Sequence, residues 1–387
     1  MAITLSKLCA NAEKTYGMKL VAGKSGMGNY VRWVHMIEDL EVADFLHGNE
    51  LVFTTGIGQL GTEWLVEFVK NLHRQDAAGL VVNIGPYIGS VPPKAIVYCE
   101  TNGFPLLTVP WAVRLIDVTY SFCHRIIAVE ENNLGLITAF RNLIFSPDDK
   151  EAYCHVLERR GFHDESDYIV MVADIQIDGK PIETNKWNSI QLIFRQILGE
   201  NTHPVCMFLQ ENSLVIIRKR CDANRIKSLV VKLNAAIKER ISNISLHVGI
   251  SDAGHGYAGI ALCYKEAAAT MKIAGLKEET FFRYCDLGIY ALLLGVDDKQ
   301  ILRNFLHNTL GPLMEFDSKN NAGYMETLLC YLQNDGSVNA VANSMDLHRN
   351  TVNYRLKAIR EILNTKLQNE DKMNMLLAFH IRTLLGT

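Results

Sequence analysis

No two of the nine cysteines stand in a C-x-x-C pair, and their number is odd. That disfavours a disulfide scaffold and a zinc site, and suits a reducing cytoplasm. Cys123-His124 and Cys154-His155 are adjacent, not spaced as ligand pairs, and read as a buried cysteine beside a surface histidine. No apolar run reaches the roughly eighteen residues that would cross a bilayer. The opening Met-Ala-Ile-Thr-Leu-Ser-Lys lacks the apolar stretch of a signal peptide. Neither H-E-x-x-H nor G-x-S-x-G occurs, and the 12 histidines are dispersed, so no catalytic residues, metal or cofactor are expected. Gly23-Lys24-Ser25 ends like a phosphate-binding loop, but the nearest preceding glycine, Gly17, is one residue too far and position 18 is Met. Global positive charge is also missing: the formal net charge is -3. Any contact with nucleic acid must come from a local basic stripe.

What is present is ordinary globular material in quantity. The chain has 387 residues, 48% hydrophobic and 21% charged, which implies two to four domains. Strands are expected over 31–34, 50–55, 79–84 and 105–109. Helices are expected over 39–46, from Thr62 as cap through His73, and from Pro92-Pro93 through Cys99. Strand–helix alternation implies an α/β domain with a mostly parallel sheet. In such sheets ligands sit outside the carboxyl ends of the strands. The residues there are His35 with Glu38, Thr54-Thr55-Gly56, Asn83 with Gly85 and Tyr87, and Trp111 after Pro110. The glycines would admit a small planar ligand, and Tyr87 or Trp111 could stack on it. Taken singly, Gly56 and Gly85 suit plain strand ends, Thr54 and Thr55 local backbone contacts, and Trp111 the core.

Leu115, Phe122, Val129, Leu136 and Leu143 recur every seven residues, with Val118 and Ala139 at the second position and Arg125 and Asn132 interrupting it. The spacing predicts a long helix over 112–146 with an imperfect coiled-coil seam. That seam either pairs two chains or packs the helix on its own domain. Beyond Pro147, strands at 168–173, 205–209, 214–218 and 246–250 interleave with helices at 187–198, 226–241 and 257–273. Their order, β-α-β-β-α-β, is that of a ferredoxin-like α+β domain. Gly311-Pro312 is expected to break the helices before the last unit.

Residues 324–363 carry the functional signal. A helix over 324–333 stops at Asn334-Asp335-Gly336, and Ser337 caps a short second helix rich in small residues. After Asp346-Leu347 a third helix starts near His348. Val352, Leu356, Ile359 and Leu363 form its apolar stripe. The remainder shows Arg349, Asn350, Thr351, Asn353, Tyr354, Arg355, Lys357 and Arg360. Arg and Asn at such a helix start suit guanine and adenine edges in the major groove, while Thr, Tyr and Lys suit phosphates. Short helix, turn and basic helix together read as an all-α helix-turn-helix that binds DNA.

Leu347-His348-Arg349-Asn350-Thr351-Val352-Asn353-Tyr354-Arg355-Leu356 resembles the H-R-N-T-[LV]-x-Y-R-L signature of the PucR family of transcription regulators. Glu326-Thr327-Leu328-Leu329 and Leu376-Leu377-Ala378-Phe379 resemble the rest of that family's Fis-like DNA-binding domain. Val31-Arg32-Trp33-Val34-His35, Phe45-Leu46-His47-Gly48-Asn49-Glu50-Leu51-Val52-Phe53-Thr54-Thr55-Gly56 and Phe104-Pro105-Leu106-Leu107-Thr108-Val109-Pro110 resemble its N-terminal sensor. The middle region resembles the GGDEF-like domain between them. A cyclase of that fold needs glycines for the triphosphate and carboxylates for metal. The turn reads Gln210-Glu211-Asn212-Ser213-Leu214, without either glycine, so the domain is expected to be non-catalytic.

The resemblance implies a cytoplasmic, ligand-responsive DNA-binding regulator, in the activator sense, of a catabolic operon such as purine or related nitrogen-compound degradation. Its fold would be α/β multidomain. Residues 1–125 would form the α/β ligand-sensing domain, 112–146 a linker or dimerisation helix, 150–290 the degenerate GGDEF-like domain and 322–387 the helix-turn-helix. Expected partners are double-stranded operator or promoter DNA, a small-molecule effector, further copies of the chain as homodimer or higher oligomer, and RNA polymerase, with no membrane. The alternatives are a nucleotide-binding or nucleotide-converting enzyme using the middle domain, and a constitutive DNA-binding protein without a ligand.

Overall fold

In a computed structural model of the chain, residues 3–59, 61, 63–182, 184–198 and 204–386 are described. The chain divides into two compact units: Met1–Asn142 with Glu151–Arg160 and Asn188–Leu192, and Leu143–Lys150 with Gly161–Trp187 and Ile193–Thr387. No described helix is long and apolar enough to cross a membrane.

The first unit is built on strands β1 (Lys19–Ala22), β2 (Trp33–Met36), β3 (Glu50–Thr54), β4 (Gly79–Ile84) and β5 (Leu106–Pro110). Its main helices are α1 (Trp64–Arg74), α2 (Pro93–Asn102) and α3 (Leu115–Phe145), the last turn of α3 falling in the second unit. The sheet order is β1-β5-β4-β3-β2, with β2 to β5 parallel and β1 antiparallel on β5. Parallel strands are stable only when both faces are covered, and all five residues of β3 are buried. One face sets Leu51, Phe53, Val81 and Leu107 against Val118, Phe122 and Ile126 of α3. The other sets Val52, Leu80 and Val82 against Leu65, Phe68 and Leu72 of α1 and Cys99 of α2.

Several local expectations change. The strand read over 31–34 splits, because Tyr30–Val31 pairs with Ile3–Thr4 while Trp33–Met36 joins the main sheet. The helix read over 39–46 is a 3-10 turn, Glu41–Phe45. Thr62, read as a cap, lies outside the described residues. Most of the heptad face of α3 is turned into the chain: Val118, Phe122, Leu136, Ala139 and Leu143 are buried, and Leu115 and Val129 are half-buried. Each such apolar side chain gains about 1.5–3 kcal/mol from burial, so this stripe is a packing face and not an open dimer seam. Gly23 explains the resemblance to a phosphate loop. A Cβ there would sit 1.9 Å from the Phe104 carbonyl oxygen, and its N–H donates to Glu100 Oε2 at 2.7 Å.

The second unit opens with an α+β sheet of β6 (Asp167–Ile177), β7 (Val205–Gln210), β8 (Ser213–Lys219), β9 (Ile244–Ile250) and β10 (Phe281–Arg283), in the order β7-β8-β6-β9-β10. Helices α4 (Thr184–Leu198), α5 (Ala223–Arg240) and α6 (Gly256–Leu276) complete the expected β-α-β-β-α-β order. α6 presses on the sheet where Gly249 lies, a Cβ there meeting the Ala267 carbonyl at 2.0 Å. The three-residue β10, parallel on β9, is too short to show in the sequence. The β7–β8 turn is Glu211-Asn212, with Glu211 in the left-handed region at φ 52.

Helices α7 (Ile289–Leu294) and α8 (Lys299–Asn320) follow. Gly311-Pro312 was expected to break the chain here, yet α8 runs straight through both. Proline removes one helical hydrogen bond and crowds the preceding turn. Buried Leu306, Leu310 and Leu313 hold the helix on either side of that defect.

Candidate nucleic-acid interface

Four helices close the chain: α9 (Tyr324–Gln333), α10 (Val338–Ser344), α11 (Arg349–Leu363) and α12 (Asn369–Leu385). Each boundary has a chemical cause. Asp317 accepts the first N–H groups of α9, from Tyr324 at 3.0 Å and Met325 at 2.6 Å. Asp335 and Gly336 reverse the chain with φ 53 and 81. Ser337 Oγ accepts from Ala340 N–H at 3.3 Å, the cap read from the sequence. Asp346 turns the chain in the left-handed region, φ 54, and His348 Nδ1 accepts from Asn350 N–H at 3.3 Å to start α11. Asp371 holds the start of α12 by accepting from Thr365 Oγ1 and Gln368 N–H, and those bonds lower its carboxyl pKa.

Val352, Leu356 and Ile359 are buried in the core that α11 shares with α8, α9 and α10, and Leu363 is half-buried. This inward stripe fixes what faces out. His348, Arg349, Asn350, Thr351, Asn353, Tyr354, Lys357 and Arg360 are all exposed. Arg349, Asn353, Lys357 and Arg360 follow one another at helical spacing along one side, with Asn350 and Tyr354 beside them. One residue read from the sequence as outward-facing departs from this group. Arg355 is half-buried and its Nη1 donates to Thr327 Oγ1 at 2.9 Å, tying α11 to α9. Arg355 therefore belongs to the scaffold rather than to the outer face.

α12 is fastened elsewhere. His380 Nδ1 lies 3.1 Å from the Tyr290 hydroxyl, and Lys277 Nζ sits 4.7 Å from that ring's centroid. Burial first, and Lys277 second, push the His380 pKa below its ordinary 6.5. The folded state thus favours neutral imidazole. Its contribution to stability is complete above about pH 6.5 and is lost as pH falls through the depressed folded value. Acidification from about pH 7.5 to about pH 5 should lower the melting temperature more in the parent than in His380→Asn. Equal shifts would remove this assignment.

The strand-end residues of the first unit bind one another. Glu38 accepts from Thr54 Oγ1 at 2.9 Å, Thr55 Oγ1 at 2.7 Å, Thr55 N–H at 2.9 Å and Gly56 N–H at 2.8 Å. Asn83, fully buried, donates to the carbonyls of Val109 and Pro110. Gly85 lies under Trp111, a Cβ there falling 2.5 Å from its ring, and Tyr87 meets Trp111 edge-on at 5.8 Å. Two separate clusters result, each internally satisfied. His35 joins neither and lines a cavity with Arg32, Trp33, His47 and Glu50. Sequence reasoning missed Glu50. Its signal was a charged residue opening a strand whose every residue is buried.

Among the described residues no group of three His, Cys, Asp or Glu side chains is placed to hold a metal. Burial pushes the thiols of Cys9 and Cys99 up to about 12, so neither is a thiolate at neutral pH.

Residues 8–126 match the purine catabolism regulatory protein-like family, 147–273 a GGDEF-like domain, and 324–381 the PucR C-terminal helix-turn-helix domain. This chain belongs to the PucR family. Three relatives of this chain come from Bacillus subtilis (strain 168). The DNA-binding transcriptional activator AdeR is 26% identical over 220 residues, 54% of this chain and 51% of that one. The purine catabolism regulatory protein is 29% identical over 116 residues, 30% and 22% of the two chains. The proline-responsive transcriptional activator PutR is 28% identical over 127 residues, 32% and 31%. This chain thus spans about half the length of the first of these relatives and less of the other two.

Proposed function

We propose that this chain is a DNA-binding transcription activator of a catabolic operon, answering to a small metabolite. The observation that carries the reading is the outer face of α11, where Arg349, Asn350, Asn353 and Lys357 stand exposed while the opposite stripe is locked in the core. Such a helix can enter the major groove with its first turn on base edges. The relatives support it, being transcriptional activators or, in one case, a purine catabolism regulatory protein. One of them is proline-responsive, so a nitrogenous metabolite is a fitting effector class. Work on DNA places the protein in the cytoplasm, and activation implies contact with RNA polymerase.

A single helix-turn-helix reads one half-site, so the working unit is a homodimer. With the heptad face of α3 buried, the pairing surface passes to its other side. Ile116, Tyr120, Ile127 and Leu134 form an exposed apolar row there, at helical spacing.

The test is footprinting of the purified chain upstream of its own gene, with affinity measured against salt. The expected result is protection of a two-fold site and a log–log salt slope of roughly -0.9 per phosphate neutralised. Binding that does not distinguish this DNA from random duplex at equal salt would defeat the reading.

A further inference from the structure

The main sheet of the first unit holds one buried charge that the fold leaves half-satisfied. Glu50, at the start of β3, is 9% exposed. Its Oε1 accepts from His47 N–H at 2.9 Å, and its buried Oε2 has no hydrogen-bond partner. A carboxylate oxygen removed from water without a donor is costly. Glu38, by contrast, has two hydroxyls and two amides on its carboxylate. Glu50 also lines a cavity of about 440 Å³, within the range of small-ligand sites.

Two further charges line this cavity: Glu130, which already has a partner of its own, and Arg32, of opposite sign. Arg32 donates its N–H to the Asn49 carbonyl at 2.9 Å, and the next residue, Trp33, is the register partner of Glu50. Arg32 therefore stands just before β2, one step from Glu50 at the start of β3. Both line the cavity, yet they form no ion pair with each other, and no described carboxylate pairs with Arg32. Trp33 and Phe45, both exposed, supply an apolar rim, and His35 and His47 add polar wall.

We infer that this cavity is the effector site and takes a small zwitterion of the free amino-acid class, with its ammonium on Glu50 and its carboxylate on Arg32. This rests on the reading of the chain as a metabolite-responsive regulator. A neutral ureide could satisfy Glu50 through an N–H but would leave Arg32 without an anion. A simple anion would do the reverse. A zwitterion answers both, and a short apolar side chain fits the aromatic rim.

The experiment is titration calorimetry on the full chain with each common L-amino acid, followed by the N-acetyl and carboxamide forms of any binder. Footprinting is run on the same preparations. One amino acid should bind once per chain, and each blocked form should bind about tenfold more weakly or worse. Arg32→Gln and Glu50→Gln should each weaken binding about tenfold or more, with parent-like melting. Should Glu50→Gln fail to fold, the exposed Trp33→Ala serves in its place with the same expectation. Binding of hydantoin or hypoxanthine instead of any amino acid overturns the ligand class. Amino-acid binding untouched by every variant overturns the site. No amino-acid binding with an intact footprint overturns this inference and leaves the regulator reading standing. Amino-acid binding at Glu50 with no footprint does the opposite.

Discussion

Arg349→Ala should lose about 1–3 kcal/mol of operator affinity, roughly five- to 150-fold, with no loss of fold. The residue opens α11 directly after the His348 cap, is exposed, and has no side-chain partner among the described residues. Its removal leaves nothing inside the protein unpaired. The loss should fall at one or two base positions, and Asn350→Ala should behave likewise at its own. Lys357 and Arg360 lie further along the helix, so their replacement should weaken all sequences alike and lower the salt slope by about one each. Arg355→Ala supplies the contrast. It removes the bond to Thr327 Oγ1, a group that is itself fully buried and donates to the Gly323 carbonyl. The expected cost is about 1–2 kcal/mol of stability, read by thermal melting, with base preference unchanged. Anisotropy titrations on the upstream DNA decide the matter: parental affinity in Arg349→Ala ends this docking geometry.

What the sequence could show depends on how far each residue's partner lies along the chain. The parallel strands were legible because two-sided burial leaves continuous apolar text, as in Leu51-Val52-Phe53 and Leu80-Val81-Val82. The inward face of α11 was legible because Val352, Leu356 and Ile359 repeat within one helix. Arg355 was not, since it stands at the border of that face and its direction is set by Thr327, 28 positions earlier. Glu38 likewise reads as a free carboxylate until Thr54, Thr55 and Gly56 fold onto it. Gly311-Pro312 obeyed a local rule that tertiary burial overrode. Glu50 was hidden in a resemblance, where a family motif explains a letter without saying what the side chain meets.

Phe122→Asp should unfold the first unit, and Ile127→Asp should leave it folded but unable to pair. The two positions lie five residues apart on α3 and test the two readings of that helix. Phe122 is 1% exposed and meets Phe53 edge-on at 6.2 Å. Truncating such a ring costs about 3–5 kcal/mol, and a carboxylate without a partner in that apolar layer adds several more. The sum approaches the whole stability of a typical domain, about 5–15 kcal/mol. Ile127 is 42% exposed, so a charge there changes monomer stability by no more than about 1 kcal/mol. Across a two-fold axis, however, the same substitution sets two like charges face to face in an apolar seam. Sedimentation at micromolar concentration should then show monomers. Affinity for a two-half-site operator should fall about a hundredfold or more, because the second recognition helix is no longer tethered to the first. If Ile127→Asp sediments as the parent does, the exposed row on α3 is not the pairing surface. A Phe122→Asp chain that stays folded and dissociates would return the heptad stripe to that role, against the burial that now assigns it to the core.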